Sequence, residues 1–398
     1  MKKILQSNIV STGLAIFSML FGAGNLMYPI LVGISSGDKN LYGITGFLIT
    51  AVLLPIAGFI GMILFNGNYN LFFNRLGKPV GSTMIAICMI IIGPLIAIPR
   101  ITTLSHVMIA PFLPGALLST ITPTSSFLFS LIFLGITFLL TYKENNIVDI
   151  LGYIISPALL ISLIIIIVKG LMTAEAIIPN HNSALTVFKT NFILGYQTLD
   201  LLGAIFFSSM VISILKNKMG KSIQHNPRVL ATIGLQSGFI GVSLLGIIYI
   251  GMSLLGVYHG HGFEYANGGR LFQEISLKIL GSHGAAVIAT AVLMACLSTS
   301  IALSAVVAEY LHSEICVKRL SYRASLILVL LLCVPMSTAG LDLVIDYTAG
   351  IITFVGYPVL ITLTFANIFY KLFGFKPVKI PVFLVFVFTL VKYYSNLI

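Results

Sequence analysis

Apolar runs of about 20 residues, the length that crosses a bilayer as a helix, recur along the whole chain with short polar loops between them. Read by length, these runs predict helices at residues 9–33, 41–66, 81–110, 122–141, 148–169, 191–215, 229–257, 281–311, 322–337, 341–370 and 380–394. The longest intervals without a span, near 170–190 and 258–280, are each only as long as one crossing. No sizeable soluble domain fits between the spans. The pattern therefore predicts an all-α polytopic membrane protein of about eleven transmembrane helices, with residues 1–398 forming one integral membrane domain.

Composition sharpens this reading. Of 398 residues, 58% are hydrophobic and only 8% charged, and the mean hydropathy is +1.07. A net charge of +11 invites a nucleic-acid partner, but the basic residues sit in the short loops, where bilayer orientation explains them. With the N-terminus cytoplasmic, fifteen of the 22 basic residues fall inside and six outside (Lys39, Lys169, Lys189, Arg270, Lys278 and Lys392), with Arg100 within a span. Met1-Lys2-Lys3 precedes the first span without a convincing cleavage site, so that span reads as an uncleaved helix. Cys88, Cys296, Cys316 and Cys333 lie in or beside apolar segments without paired spacing, and read as packing residues. His259-Gly260-His261 is a close histidine pair without a third ligand, which is weak grounds for a metal.

The departures from plain apolar helix carry the chemistry. Phe21-Gly22-Ala23-Gly24-Asn25, followed by Pro29, interrupts the first span. A break at membrane depth frees N–H groups that hold an anion and carbonyls that hold a cation; the other reading is a small-residue contact between helices. Five spans later, Tyr196-Gln197-Thr198-Leu199-Asp200-Leu201-Leu202-Gly203 places polar groups and a carboxylate mid-segment. That is where an inverted repeat puts its second interrupted helix. A charge at this depth costs about 2.5–3.5 kcal/mol on insertion scales, so Asp200 calls for a partner, whether in function or in a helix-to-helix hydrogen bond. In span eight, Ala295, Ser298 and Thr299 share a helical face and offer oxygens to a hard monovalent cation, unless both hydroxyls bond back one turn. Arg100, past the middle of span three, either pairs with Asp200, shapes an external gate, meets a substrate carboxylate, or snorkels to the interface. Pro94, Pro99, Pro111 and Pro114 predict a kinked span three with an irregular end.

Phe21-Gly-Ala-Gly-Asn-Leu-Met-Tyr-Pro29, Gly93-Pro-Leu-Ile-Ala-Ile-Pro-Arg100 and Gly195-Tyr-Gln-Thr-Leu-Asp200, in this order, resemble the signatures of bacterial branched-chain amino acid:cation symporters of the BrnQ type. The resemblance runs from the first span to about residue 370, and three ordered motifs are far more specific than one. It implies a LeuT-type architecture of two inverted five-helix repeats, about 9–170 and 191–371, with broken helices one and six and an extra C-terminal helix at about 380–394. It further implies a sodium site formed by backbone oxygens of Ser18, Phe21 and Ala295 with the hydroxyls of Ser298 and Thr299. The substrate is implied to lie between the two breaks, at Gly22, Ala23, Gly24, Asn25, Gln197, Thr198, Asp200 and Gly203. Family members commonly carry a twelfth helix where this sequence shows eleven, which leaves the side of the C-terminus open.

These readings converge on a secondary carrier in a bacterial cytoplasmic membrane that imports leucine, isoleucine or valine with sodium by alternating access. Its partners are the amino acid, the sodium ion and the lipid bilayer; no cofactor beyond the coupling ion, no nucleic acid and no obligatory protein partner is expected. Proton coupling through Asp200, or another small neutral amino acid, is the runner-up. An intramembrane enzyme is disfavoured, because the sequence has no paired intramembrane aspartates of protease spacing, no His-Glu-x-x-His and no convincing serine–histidine pair. A nucleotide-binding loop is also missing from the sequence, against a primary pump.

Overall fold

Hydrocarbon offers no partner for backbone N–H and C=O groups, so a chain this apolar must satisfy them internally as helices. The computed structural model describes residues 2–113, 115–177, 179–218, 227–261, 268–340 and 348–395, and among them there is no strand. Span one is two helices, α1 (Lys2–Leu20) and α2 (Ala23–Ser36). Span two runs from α3 (Asn40–Leu48) through the π-helical Ile49–Leu53 into α4 (Leu54–Leu64). The short α5 (Tyr69–Phe73) leads to span three, α6 (Lys78–Ile90) and α7 (Ala97–Ile109). After α8 (Ala116–Ser119) comes span four, α9 (Pro123–Thr141). Span five joins α10 (Ile147–Asp149), the π-helical Ile150–Ile155 and α11 (Ser156–Met172). Span six is α12 (Ala184–Leu194), the 3-10 turn Gly195–Thr198 and α13 (Asp200–Lys218). Span seven is α14 (Pro227–His259), which α15 (Gly268–Leu280) follows. Spans eight and nine are α16 (Ala285–Tyr310) and α17 (Tyr322–Thr338). The π-helical Thr348–Gly356 continues into α18 (Tyr357–Phe373) as span ten, and α19 (Lys379–Ser395) is the last helix described.

Eight helical stretches among the described residues are long and apolar enough to cross a membrane, and Ile9–Leu20 and Tyr322–Thr338 are shorter apolar helices. Together these make ten, and the 17-residue α19 (Lys379–Ser395) is in neither group, so length and apolarity do not establish the expected count of eleven. Residues 341–347 of the expected tenth span, and Lys221 of the expected inside set, lie outside the described residues. Span six starts earlier than apolar length suggests, because the Ser183 side chain accepts from Thr186 N and caps α12. The interval near 258–280 holds α15, an amphipathic helix of 13 residues, too short to cross. Its Leu271, Phe272, Ile275 and Ile279 are buried. Apolar length alone misses such a helix, since only one face of it is apolar.

Packing is reciprocal. Both halves of span one lie along span seven, and both halves of span six lie along span two. Span eight packs on spans three and four, and span nine on spans four and three; span eight also packs on span five, a contact outside this exchange. Exchanging the first five spans for the next five preserves these pairings, as two interlocked inverted halves require. Without a hydrophobic force between helices in lipid, close backbone approach supplies the cohesion. At Gly33 a Cβ would run into the Ser253 carbonyl oxygen, so α2 and α14 meet backbone to backbone.

The loop between spans five and six is strapped at both ends. Lys39 donates to the Asn180 and Asn182 carbonyls at 2.7 Å each, and Lys278 of α15 donates to Glu175 at 2.7 Å. That hydrogen bond holds the exposed Glu175 carboxyl below its usual range. The His259-Gly-His261 pair belongs to this mouth: His259 closes α14 with its ring buried and Nε2 2.8 Å from the Gly170 oxygen. Cys88, Cys296 and Cys333 are buried free thiols and Cys316 is half-buried.

Candidate functional site between the broken helices

Both expected breaks are present. Span one loses helical geometry at Phe21–Gly22, where Gly22 is extended (φ −97°, ψ −172°) and α2 starts anew at Ala23. Restarting a helix leaves its first N–H groups without intrahelical acceptors, here around Ala23 and Gly24, at the positive end of the helix. Gly22 sits close against α16: a Cβ there would lie 3.1 Å from Thr299 Oγ1. Span six breaks at Leu199, a left-handed residue (φ 63°, ψ 16°) between the 3-10 turn and α13. Holding a leucine in that conformation costs about 1–2 kcal/mol, strain of the kind that gathers at working sites. The break puts Asp200 at the start of α13, where the helix dipole favours a carboxylate.

The two breaks are tied together. Asn25 Nδ2 donates to the Leu20 carbonyl at 2.6 Å, closing the end of α1, and to both Asp200 oxygens at 3.1 and 3.3 Å. Tyr249 of α14 donates its hydroxyl to Asp200 Oδ2 at 2.8 Å, and Asp200 N meets Thr198 Oγ1 at 3.4 Å. Asp200 is 4% exposed and Arg100 5%, yet no ion pair within 4.0 Å joins them among the described residues. Arg100 Nη1 instead donates to the Gln197 carbonyl at 3.0 Å, its Nε is buried without a partner, and its Nη2 lies 3.4 Å from where a Cβ of Gly24 would stand. Snorkelling and the direct pair with Asp200, two of the four roles open to Arg100 from sequence, are therefore corrected. Helix α7 restarts at Ala97 after a kink at Gly93 (φ −93°, ψ −116°), which aims Arg100 inward rather than along a straight helix toward the interface.

Arg100 and Asp200 line one cavity of about 40 Å³. Its wall includes Gly22, Ala23, Gly24, Asn25, Thr198, Gly203 and Thr299, every expected substrate residue except Gln197, which contributes its carbonyl to Arg100. The rest is apolar: Met19, Leu20, Ile92, Ala97, Ile101, Leu199, Phe207 and Leu303.

At the expected ion site, the two hydroxyls behave differently. Ser298 Oγ bonds back to the Ala295 carbonyl at 3.0 Å, the local alternative open from sequence. Thr299 Oγ1 reaches across to the Ser18 carbonyl at 3.4 Å, so α16 and the end of α1 do converge there. Ser18 Oγ bonds to the Ala15 carbonyl at 3.1 Å, which leaves its backbone oxygen as the group facing Thr299. Ser18, Phe21, Ala295 and Ser298 are fully buried.

Sequence reasoning missed Tyr249 and the apolar wall. A tyrosine in the run Ile248-Tyr249-Ile250-Gly251 stands out as a hydroxyl at membrane depth, but nothing local says which helix it faces. A signal was available in Asp200 itself, since a buried carboxylate demands donors and Tyr249 carries one inside an apolar span.

With this geometry in hand, the comparisons are direct. The family model described as branched-chain amino acid transport protein matches residues 5–397. The chain is 30% identical to the branched-chain amino acid permease BraB of Bacillus subtilis over 91% of this chain and 80% of that protein. It is 29% identical to the branched-chain amino acid permease BrnQ of Corynebacterium glutamicum over 91% and 81% respectively. A manganese transporter of Eremococcus coleocola shares the fold with a TM-score of 0.62 at 14% identity, over 98% of this chain and 87% of that one. The fold is of LeuT type, with interrupted spans one and six, and a chain so related is a multi-pass membrane transporter and not an enzyme. It belongs to the branched-chain amino acid transport protein family.

Proposed function

We propose that this protein imports leucine, isoleucine or valine with sodium across a bacterial cytoplasmic membrane, its N-terminus inside. One observation carries the reading: a buried arginine and a buried aspartate line the same small cavity without pairing, and the remaining wall is largely aliphatic. Two unpaired opposite charges suit a zwitterion, the carboxylate meeting Arg100 and the start of α2, the ammonium meeting Asp200. An uncharged aliphatic side chain suits the apolar wall, and a second charge finds no partner there. At about 40 Å³ the cavity is far below the roughly 300–1,000 Å³ of ligand pockets, so an amino acid enters only as the helices part. Alternating access over a single domain of two repeats, about 9–170 and 191–371, provides that opening. The relatives named as branched-chain permeases support the substrate class.

Purified protein in liposomes should accumulate labelled leucine when a sodium gradient is imposed, with isoleucine and valine competing. Lysine or glutamate competing equally well overturns the substrate class. Accumulation driven as well by a pH gradient without sodium rejects the ion site and leaves Asp200 as the leading coupling residue.

Sodium binding is read from the convergence of Thr299 Oγ1 on the Ser18 carbonyl; the carbonyls of Phe21 and Ala295 and the Ser298 hydroxyl complete the ligand set that the family resemblance implies. Neutral oxygens of this kind replace the hydration of a monovalent cation and relay no proton. Thr299→Ala should raise the sodium concentration for half-maximal uptake about tenfold, a lost ligand of roughly 1.4 kcal/mol. The maximal rate should recover at saturating sodium. An unchanged sodium dependence rejects this ligand set.

A further inference from the structure

We infer that Tyr249 is a positioning residue for substrate recognition: it holds the Asp200 carboxylate in place to receive the substrate's ammonium group. This rests on the amino-acid reading above. The Tyr249 hydroxyl donates to Asp200 Oδ2 at 2.8 Å while Asn25 Nδ2 donates from span one. Two donors from two different helices fix both the place and the rotation of the carboxylate, and both are neutral, so neither donor cancels its charge. The tyrosine itself cannot shift easily. Its fully buried ring lies edge-on to Phe47 of span two, with centroids 5.3 Å apart, and tilted against Phe21 at the span-one break, at 6.1 Å. Span seven thereby reaches the site through one hydroxyl although it lines none of the cavity. Close approach of α2 and α14 at Gly33 and Ser253, four residues beyond Tyr249, fixes the height from which the ring projects.

A residue that acts only through the carboxylate affects only ligands that use it. Equilibrium binding of leucine and of 4-methylpentanoate, which is leucine without its amino group, separates the two cases. Tyr249→Phe keeps the ring contacts and removes the donor; it should weaken leucine binding about tenfold and leave 4-methylpentanoate unchanged. In transport, KM for leucine should rise with kcat little altered. Replacing Tyr249 by 4-aminophenylalanine, which donates from the same position, should restore leucine affinity and also serves if the phenylalanine variant fails to fold. Equal losses for both ligands mean a structural role and overturn the inference, as does an unchanged leucine affinity in Tyr249→Phe. A wild type that does not bind leucine overturns the amino-acid reading along with it; leucine binding with no ligand-selective effect overturns the role of Tyr249 alone.

Discussion

Asp200→Asn should lose leucine uptake by about 100-fold while the protein still inserts and purifies as a single species. The expected size follows from removing one partner of a buried, hydrogen-bonded charge pair, about 2–5 kcal/mol, where each 1.4 kcal/mol is tenfold. Insertion should survive because the carboxamide keeps the shape and most of the network. Its oxygen accepts from Asn25, and the Tyr249 hydroxyl, now 2.8 Å from Oδ2, turns to accept from the new amide. What disappears is the charge that would meet the substrate ammonium. Uptake by inserted Asp200→Asn at wild-type rate and KM would leave Asp200 as a tether between Asn25 and Tyr249 and nothing more.

The breaks were legible because they violate the surrounding pattern. Glycines at 22 and 24, and a carboxylate at 200, are costly where the solvent is hydrocarbon, and a costly residue in an apolar run points to a compensating contact. What the sequence did not supply is direction. Whether Arg100 reaches Asp200, the interface or the cavity depends on the Gly93 kink, and the prolines announced a kink without its angle. Tyr249 was hidden for the same reason, since in a helix apolar on all sides no periodicity marks the face that meets span six. The helix α15 escaped for the opposite reason: its one-sided apolar stripe is a soluble-helix pattern set within a chain read by the length of its apolar runs. Ser298 and Thr299 divide on the same point. Adjacent residues on one helix point about 100° apart, so one bonds within its own helix and the other reaches α1.

Arg100→Gln should weaken leucine binding itself, by about 100-fold, rather than only slow its passage. Two roles remain open to this guanidinium: a grip on the substrate carboxylate, and a gate joining span three to the span-six break through the Gln197 carbonyl at 3.0 Å. A gate sets the rate of exchange between states and is read in kcat. A grip is read in the dissociation constant. The unpartnered Nε and the placement of Nη2 beside the start of α2 favour the grip, because a carboxylate arriving there meets a fixed fork of donors together with free helix N–H groups. Losing a charge-assisted bidentate contact in a buried site is worth the same about 2–5 kcal/mol as losing Asp200. Arg100→Lys, which keeps the charge but not the fork, should fall between, about tenfold weaker. Isoamylamine, the side chain and amine of leucine without its carboxylate, should bind wild type and Arg100→Gln equally. If both variants bind leucine as wild type does and lose only turnover, Arg100 is the gate, and the carboxylate is held by the α2 N-terminus alone.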